Sequence, residues 1–258
     1  MKLLVLGGSA LGEQICRLAK AAGIHTILAD RNKNCPAAAM ADEFVCLDVT
    51  KDPLPAADKI IPATESGAVV KELRGENVLF DADAWNRTSS RLAADAMLRE
   101  GGIPAPEYFP EGSEPYIVKP DRGSFGLGIW VTDDYCEVGG AVNAGFVTQE
   151  ELAGPVWSAV VTGKPGAYTA HMPARLSFDD RRRRESAVCE PAPDGEALRT
   201  LAVSVAELVG VKGILEVEAI CHHGTWKVID LNARMPMYTP DALLASEGVN
   251  LLEELMRV

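Results

Sequence analysis

Gly213-Ile-Leu-Glu-Val-Glu-Ala-Ile220 and Thr225-Trp-Lys-Val-Ile-Asp-Leu-Asn-Ala-Arg234 are two apolar runs in which polar residues recur at every second position. Such alternation is typical of β-strands whose two faces differ in polarity. The short connection His222-His223-Gly224 predicts a hairpin with a three-residue loop and Gly224 in the left-handed conformation. That loop would set an even register, so that the polar positions of both strands point the same way.

The polar side chains on that common face are mainly carboxylates. Period-two spacing places Glu216 and Glu218 together on the first strand, and Asp230, Asn232 and Arg234 together on the second. Carboxylates packed this closely repel one another unless a cation lies between them. Oxygen ligands of this kind suit Mg²⁺, which usually keeps some water and phosphate ligands. The alternative is a solvated strand face that carries charges by chance.

The composition of the whole chain excludes several classes of partner. The 258 residues include 37 acidic and 25 basic side chains, a net charge of −12. That balance argues against nucleic acid or an anionic membrane as a partner. No uninterrupted apolar run approaches the 18 residues of a membrane span. The six cysteines are scattered without a CxxC pair, which indicates reduced thiols and a cytoplasmic protein.

The first third of the chain alternates between short apolar runs and helical spacing. The pattern predicts strands at Leu3–Leu6, His25–Ala29, Lys59–Ile61 and Val78–Phe80, with helices over Leu11–Ala22 and from Glu65 through Leu73. Strands separated by helices indicate βαβ units and a parallel sheet. Residues 1 to about 84 are therefore expected to form one small doubly wound α/β domain.

The remaining chain has a different pattern. A helix over Arg87–Glu100 precedes short strands joined by Gly- and Pro-rich turns, and a second helix is expected over Glu196–Val209. We expect these strands at Tyr116–Lys119, Ile129–Thr132, Val147–Glu151 and Ser158–Val161. This order favours an antiparallel α+β section packed against the first domain.

Two segments of this section could contact a nucleotide. Tyr116-Ile-Val-Lys-Pro-Asp-Arg-Gly-Ser-Phe-Gly-Leu-Gly128 is a strand that ends in Lys119 and continues into a glycine-rich loop. Backbone N–H groups of such loops approach phosphates, although the loop is not a Walker A sequence and could be an ordinary hairpin. Val147–Pro155 is an extended acidic segment that could bind an adenine ring through its backbone, or could simply connect two strands.

Two further features leave alternatives open. Gly7-Gly8-Ser9-Ala10-Leu11-Gly12 followed by Asp30 resembles a mononucleotide-binding turn with a ribose-binding acid, although its GGxxxG spacing is a weak signal. A nicotinamide-dependent oxidoreductase could use that turn, but this hypothesis leaves the acidic hairpin unexplained. The run Arg181–Arg184 could bind a substrate carboxylate or phosphates, or could be a solvated loop.

The chain contains, in order, Lys119 with its glycine-rich loop, the extended acidic segment Val147–Pro155, which we call the hinge, and a final Glu–x₁₁–Asp–x–Asn–x–Arg pattern. This order of motifs resembles that of the ATP-grasp ligases. The resemblance implies an N-terminal Rossmann-like pre-ATP-grasp domain over 1–84 and a two-lobed ATP-grasp domain over 85–258. Within the latter it implies a lid-like subdomain at about 112–150 and a metal-binding subdomain at about 151–258.

The resemblance also implies roles for individual residues. ATP contacts are expected from Arg91, Lys119, Ser124, Gln149, Glu150, Glu151 and Leu152. Mg²⁺ ligands are expected to be Glu218, Asp230 and Asn232, with Arg234 as the catalytic cation. Amino-acid substrates are expected at Leu11, Glu65, Arg184 and Arg234. Such ligases are often homodimers.

Within this family, the chain resembles the ligases of pyrrolysine biosynthesis, which join 3-methyl-D-ornithine to the side-chain amine of L-lysine. The shared segments are Ala41–Val49, Leu79–Asp81, Val118–Pro120, Val217–Ile220, Ala233–Pro240 and Ser246–Glu253. The resemblance implies a reaction that proceeds through an acyl phosphate.

Several departures from the family pattern motivate an alternative. Arg91 replaces an ATP-binding lysine, Pro155 replaces a ribose-binding acid, and the chain ends at Val258 before a further segment of the relatives. The alternative is an ATP-binding protein with other amino-acid substrates or without ligase activity.

Overall fold

The N-terminal region is a parallel sheet, as its alternating pattern predicts. The computed structural model describes residues 1–71, 73–123 and 126–258. Its first elements are β1 (Lys2–Leu6), α1 (Ala10–Ala21), β2 (His25–Asp30), a 3₁₀ turn (Pro36–Ala39), β3 (Glu43–Cys46) and β4 (Lys59–Pro62). The strands are parallel in the order β3-β2-β1-β4. Apolar side chains pack on both faces of this sheet, which is the usual state of parallel sheets.

The helices that follow are shorter than the sequence pattern predicts. They are α2 (Gly67–Val70), α3 (Ala82–Thr88) and α4 (Arg91–Glu100). Val78 contributes a single bridge to Ile60 in place of the predicted strand. The helix predicted over Arg87–Glu100 is divided because Ser90 caps α4, accepting from the N–H of Ala93 and donating to Asp121. The break places Arg91 at the start of α4.

A small antiparallel sheet and one helix form the next layer. β5 (Tyr116–Lys119), β6 (Trp130–Thr132) and β7 (Val147–Glu150) pair in the order β6-β5-β7. The helix α5 (Tyr135–Asn143) was not predicted. It begins at Asp134, whose carboxylate accepts hydrogen bonds from the N–H groups of Cys136 and Glu137. Ser124 lies outside the described residues.

The third sheet carries the hairpin on which the sequence analysis centred. Its strands are β8 (Val156–Lys164), β9 (Ala167–Ala170), β10 (Ala174–Phe178), β11 (Arg184–Cys189), β12 (Gly213–His222) and β13 (Thr225–Asn232). They follow the order β11-β10-β8-β12-β13, with β9 paired to β8. β9, β10 and β11 were not predicted, and the arginine run forms the β10–β11 turn and the first residue of β11.

One face of β12 is held by the helix α6 (Gly195–Val209). Leu215, Val217 and Ala219 are fully buried against apolar residues of α6, including Ala202 and Val205. A buried Leu or Val side chain contributes about 1.5–3 kcal/mol of hydrophobic stabilisation. This packing fixes the strand, so that its even-numbered acidic residues face the opposite side.

The C-terminal helices connect the last part of the chain to the first. α7 (Thr239–Glu247) and α8 (Leu251–Met256) share an apolar core with α1 and the parallel sheet. The amide of Gln14 donates to the carbonyl of Pro236, and the amide of Asn250 donates to the carbonyl of Leu18. None of the described helices combines the length and apolar character needed to span a membrane.

Candidate functional site

The final hairpin brings its acidic residues together, but through a different local structure from the predicted loop. His223 and Gly224, both with positive φ, form a two-residue turn, and His222 pairs with Thr225. Continued unbroken, this register would turn Asp230 to the other face. A β-bulge between Glu218 and Ala219 shifts the pairing by one residue.

Beyond the bulge, Glu218 lies opposite Asp230, and Glu216 lies opposite Asn232. We call these four residues the acidic face. The predicted juxtaposition is therefore present, although the three-residue loop from which it was inferred is wrong.

Glu216 lies at the base of the acidic face and is completely buried. Its carboxylate accepts hydrogen bonds from the hydroxyls of Ser158 (2.7 Å) and Thr239 (3.2 Å) and from the amide of Asn232 (3.1 Å). A buried carboxylate needs such donors and a nearby cation to stay charged. Glu216 therefore anchors the face, and Glu218 and Asp230 lie nearer to the solvent.

The surroundings of Glu218 disfavour its charged form. Burial raises its pKa to about 7, and the neighbouring Glu216 and Asp230 add to the rise while the Arg184 guanidinium opposes it. The Asn232 amide donates to Glu218 (3.0 Å), and its oxygen accepts from Arg234 (3.1 Å). A carboxylate held in this way gains stabilisation from any further cation that reaches it.

Three arginines lie around the acidic face, and two of them, Arg184 and Arg91, pair with its carboxylates. Arg184 donates to both oxygens of Glu216 (3.0 and 3.2 Å) and to Glu218. Arg91 donates to Asp230 (3.2 Å), and Arg234 forms an ion pair with Glu65 from the N-terminal region. Nearby carboxylates outweigh the burial of Arg184 and raise its pKa above the ordinary value of arginine.

Lys119 and Arg91 connect the end of β5 to β13, the strand that carries Asp230. The ammonium of Lys119 is buried and donates to the carbonyl of Ile229, one residue before Asp230 (3.2 Å). Burial lowers the pKa of Lys119 below its usual range. Arg91 donates to the carbonyls of Pro120 (2.8 Å) and Gly123 (3.1 Å), at the beginning of the glycine-rich loop.

A cavity of about 920 Å³ lies between the second and third sheets, beside the hinge segment Glu150–Leu152. We call it the hinge cavity. Its walls include Ile117, Lys119, Arg182, Glu218 and Asp230. The hinge cavity thus combines apolar surface with one lysine and the open edge of the acidic face.

The side chains of the hinge residues point in two directions, some toward the hinge cavity and one into the protein interior. Glu150 accepts from the ammonium of Lys227, and that ion pair outweighs burial and lowers the pKa of Glu150. Glu151 forms an ion pair with Arg182. The side chain of Gln149 points the other way and donates to Asp95 (3.0 Å), because neighbouring strand residues face opposite sides. Of the predicted hinge contacts, Glu150, Glu151 and Leu152 line the cavity, and Gln149 does not.

Of two smaller cavities, one borders the acidic face and the other lies beside the N-terminal glycine turn. The central cavity, of about 540 Å³, is lined by Trp85, Arg91, Arg122 and Asp230, and by Glu65 and Arg234. The N-terminal cavity, of about 410 Å³, is lined by Leu11, Asp30 and Ser66, and also by Glu65 and Arg234. Of the predicted substrate contacts, Leu11, Glu65 and Arg234 border these two cavities.

The donor chemistry of the acidic face fits Mg²⁺, but its side chains do not form a ready coordination shell. Within residues 1–71, 73–123 and 126–258, no three His, Cys, Asp or Glu side chains are arranged to hold a metal ion. Glu218, Asp230 and the amide oxygen of Asn232 are oxygen donors of the type that Mg²⁺ prefers. Phosphate oxygens normally complete such a site, so the observed donors are compatible with the metal.

Three polar residues of the site were missing from the predicted set. Glu216 had been placed on the correct face by its spacing but was not assigned a role. Arg182 and Arg122 line the hinge and central cavities. Both lie in segments that the sequence analysis singled out, the arginine run and the glycine-rich loop, but neither residue was given a role of its own.

Comparison with known proteins identifies the family. No family model matches the chain. The 3-methyl-D-ornithine–L-lysine ligase of Methanosarcina acetivorans is 32% identical over 267 residues, which cover 99% of this chain and 72% of that enzyme. The ligase of the same name from Methanosarcina mazei is 29% identical, and the alignment covers 99% of this chain and 71% of that enzyme. The chain belongs to the 3-methyl-D-ornithine–L-lysine ligase family (PylC).

Solved structures show that this ligase-family chain has the ATP-grasp fold. The biotin carboxylase domain of Hydrogenobacter thermophilus 2-oxoglutarate carboxylase, solved with MgADP, ADP and bicarbonate, superposes with a TM-score of 0.80. The two chains are 17% identical, and the superposition covers 100% of this chain and 69% of the biotin carboxylase chain. An L-amino acid ligase from Bacillus licheniformis has a TM-score of 0.75 at 16% identity, over 99% of this chain and 73% of that one. The fold expected from the sequence is confirmed.

Proposed function

We propose that this chain is an ATP-dependent carboxylate–amine ligase that joins 3-methyl-D-ornithine to L-lysine. A substrate carboxylate would attack the γ-phosphorus of ATP, forming an acyl phosphate and releasing ADP. The amine of the second amino acid would then attack the acyl carbon, lose a proton and release phosphate. The family relationship supports the pair of amino acids, and the arrangement of cavities supports the order of groups along the site.

The observation that carries this proposal is that neighbouring cavities share lining residues. Asp230 borders both the hinge cavity and the central cavity, and Glu65 with Arg234 borders both the central and N-terminal cavities. A nucleotide in the hinge cavity would direct its phosphates toward Asp230. A carboxylate in the central cavity would meet them there, with the amine approaching from the N-terminal cavity.

The side chains along this path match the charges that the reaction develops. Lys119 lies in the hinge cavity, and its positive charge favours phosphate oxygens. Arg91 and Arg234 both line the central cavity, where the phosphoryl group would move to the carboxylate. Fixed cations at such a position stabilise charge that increases in the transition state. We propose Arg234 as the catalytic cation and Arg91 and Lys119 as ATP-binding residues.

Glu218, Asp230 and Asn232 would hold Mg²⁺ together with the ATP phosphates. When bound, the ion neutralises the charge of the transferred phosphoryl group. The protein contributes the fixed positions of these three side chains, since the β12–β13 pairing and the packing of β12 on α6 hold their backbone.

The hinge would bind the base of the nucleotide. Leu152 is buried beside the cavity, and the extended backbone of Glu150–Leu152 borders it. The ion pairs of Glu150 with Lys227 and of Glu151 with Arg182 fix both carboxylates at the wall of the cavity. Gln149 would act indirectly, by positioning the hinge through Asp95. The cytoplasmic location and a homodimeric state remain predictions.

A coupled ADP-release assay with ATP, Mg²⁺ and pairs of D- and L-amino acids tests the proposal. We expect ADP formation that requires 3-methyl-D-ornithine and L-lysine together, and a condensed product by mass spectrometry. Glu218→Ala is expected to abolish this turnover, and Asp83→Ala, at an exposed position of α3, is the matched control. Unchanged turnover of Glu218→Ala would contradict the assigned site.

Calorimetry separates this function from the alternative. ATP binding without ADP formation across the whole amino-acid panel would favour a nucleotide-binding relative without ligase activity. ADP formation with a different pair would keep the reaction class and replace the substrates.

A further inference from the structure

Arg184 occupies the centre of the acidic face. Its guanidinium donates to Glu216 (3.0 and 3.2 Å), to Glu218 and to the carbonyl of Met237 (3.2 Å), and its side chain is 11% exposed. Arginine forks match carboxylates closely, and a buried pair of this kind is held until another cation or anion replaces one partner. The arginine thus supplies the positive charge that Glu216 and Glu218 require.

The same carboxylate is needed by a divalent cation. Glu218 borders the hinge cavity and is the acidic residue that both Arg184 and a metal ion would contact. Asn232 is turned so that its amide NH₂ donates to Glu216 and Glu218, which leaves its oxygen toward Arg234. Two cations close to one carboxylate repel each other, so that the guanidinium and the metal compete.

We propose that Arg184 is an internal counter-cation, and that a divalent metal binds to the acidic face only in exchange for the ion pair between Arg184 and Glu218. The proposal rests on the proposed function for the identity of the metal-binding residues. It makes Arg184 a positioning residue that controls metal affinity. The substrate contact expected of Arg184 stays a prediction, and in the structure its guanidinium contacts the acidic face.

Arg184 lies beside a turn with irregular strand pairing. Arg184 is the first residue of β11 and follows the turn after β10, at a point where the pairing of the two strands is irregular. Arg182 in that turn has a positive φ of 59° and pairs with Glu151 of the hinge. The turn therefore connects the counter-cation directly to the wall of the hinge cavity.

Binding of Mn²⁺ to the nucleotide-free protein, followed by electron paramagnetic resonance, tests the proposal. We expect weak binding by the wild type and binding at least about tenfold tighter by Arg184→Gln, which removes the competing charge. Arg184→Lys keeps a cation and is expected to bind weakly. Arg183→Gln is the matched control, because Arg183 pairs with Asp179 outside the acidic face and its loss is expected to leave Mn²⁺ affinity unchanged.

Thermal unfolding provides a second readout. Arg184→Gln leaves Glu216 and Glu218 without their cation, so we expect a lower melting temperature in the absence of metal. Mn²⁺ is then expected to raise the melting temperature by more in this variant than in the wild type. If Arg184→Gln does not fold, the double variant Arg184→Gln/Glu216→Gln removes one charge of each sign and is expected to show the same gain in Mn²⁺ affinity.

Equal or weaker Mn²⁺ binding by the folded Arg184→Gln protein would overturn the proposal. So would a gain in affinity that survives addition of Asp230→Asn, since the extra ion would then lie elsewhere. These outcomes are independent of the ligase reaction. Failure of the proposed function would appear instead as a lack of ADP formation by the wild-type protein.

Discussion

The glycine turn at the start of the chain and the acidic face of the final hairpin both contain acidic side chains, but the structure holds these acids differently. In the turn Gly7–Gly12, Asp30 accepts hydrogen bonds from the N–H groups of Gly8 (2.6 Å) and Asn32 (2.7 Å). Both carboxylate oxygens are thereby used by the local backbone. In the acidic face, Glu218 and Asp230 are instead held by arginines from distant parts of the chain.

On this difference we base the structural role of Asp30 and the proposed functional role of Glu218 and Asp230. Hydrogen bonds from the local backbone cannot be exchanged without unfolding the turn. Ion pairs with long arginine side chains can be exchanged for a metal or a phosphate while the strands stay in place. A carboxylate is therefore a better candidate for function when its partners are mobile side chains.

The sharpest test of the comparison is an acid-to-amide change in the acidic face. Asp230→Asn keeps the shape of the side chain but removes its charge at the junction of the hinge and central cavities. We expect kcat for ADP release to fall by about 100-fold or more, as for loss of one group that stabilises transition-state charge. Steady-state kinetics and circular dichroism measure the activity and the fold.

Asp241→Asn is the control for this change, because Asp241 forms a half-exposed ion pair with Arg17 outside the site. Its kcat should equal that of the wild type. A kcat of Asp230→Asn within threefold of the wild type would remove Asp230 from the reaction.

A substitution in the glycine turn is expected to lower the free energy of unfolding. A methyl group at Gly12 would lie 2.2 Å from the carbonyl oxygen of Gly7, a contact that forces the α1 helix away from the sheet. Overpacking of this kind costs about 1–3 kcal/mol, and contact with rigid backbone places Gly12→Ala at the upper end. Urea unfolding measures the change, and a loss below about 0.5 kcal/mol would show that α1 can move freely.

Asp30→Asn is the counterpart of Asp230→Asn in the glycine turn. Loss of the charge weakens the hydrogen bonds from Gly8 and Asn32, and we expect the free energy of unfolding to fall by about 1–2 kcal/mol. The value of kcat should fall far less than in Asp230→Asn, because Asp30 borders the N-terminal cavity and not the junction at Asp230. A large drop in kcat with unaltered stability would reverse the comparison and make Asp30 a functional acid.

The smallest effect is expected at the turn of the final hairpin. Gly224 has a φ of +77° with no atom near the position of an added Cβ, so Gly224→Ala introduces backbone strain without a clash. We expect a loss of about 1 kcal/mol in unfolding free energy and normal ADP release. Loss of activity in this variant would show that the turn controls the register of the acidic face.

Much of the fold could be predicted because its signals are local. The alternation of apolar runs and helical spacing identified β1, α1 and β2, and period-two spacing identified β12 and β13. The same spacing placed Glu216 and Glu218 on one face. Burial of alternate residues against α6 enforces that pattern, and so it is visible in the sequence.

The bulge between Glu218 and Ala219 could not be predicted in this way. The residues around it have ordinary strand composition, and the two-residue turn alone would give the opposite orientation of Asp230. Contacts with distant parts of the chain favour the observed register of β13. Arg91 donates to Asp230, and Lys119 donates to the carbonyl of Ile229.

The β10–β11 hairpin was missed for a related reason. Four consecutive arginines form part of its turn and the first residue of β11, a composition that favours a solvated loop. Three of them find carboxylate partners in the folded chain: Arg182 with Glu151, Arg183 with Asp179, and Arg184 with the acidic face. Of these carboxylate partners, Glu216 and Glu218 were visible in the sequence as alternating strand residues, and Glu151 was visible as part of the extended acidic segment.

Oxygen-18 transfer tests the central claim most directly. The carboxylate of 3-methyl-D-ornithine would be labelled with ¹⁸O, and the released inorganic phosphate would be examined by mass spectrometry after turnover with ATP, Mg²⁺ and L-lysine. An acyl phosphate formed beside Asp230 predicts one labelled oxygen in each phosphate released. Product formation with unlabelled phosphate, or ATP binding with no product, would contradict it.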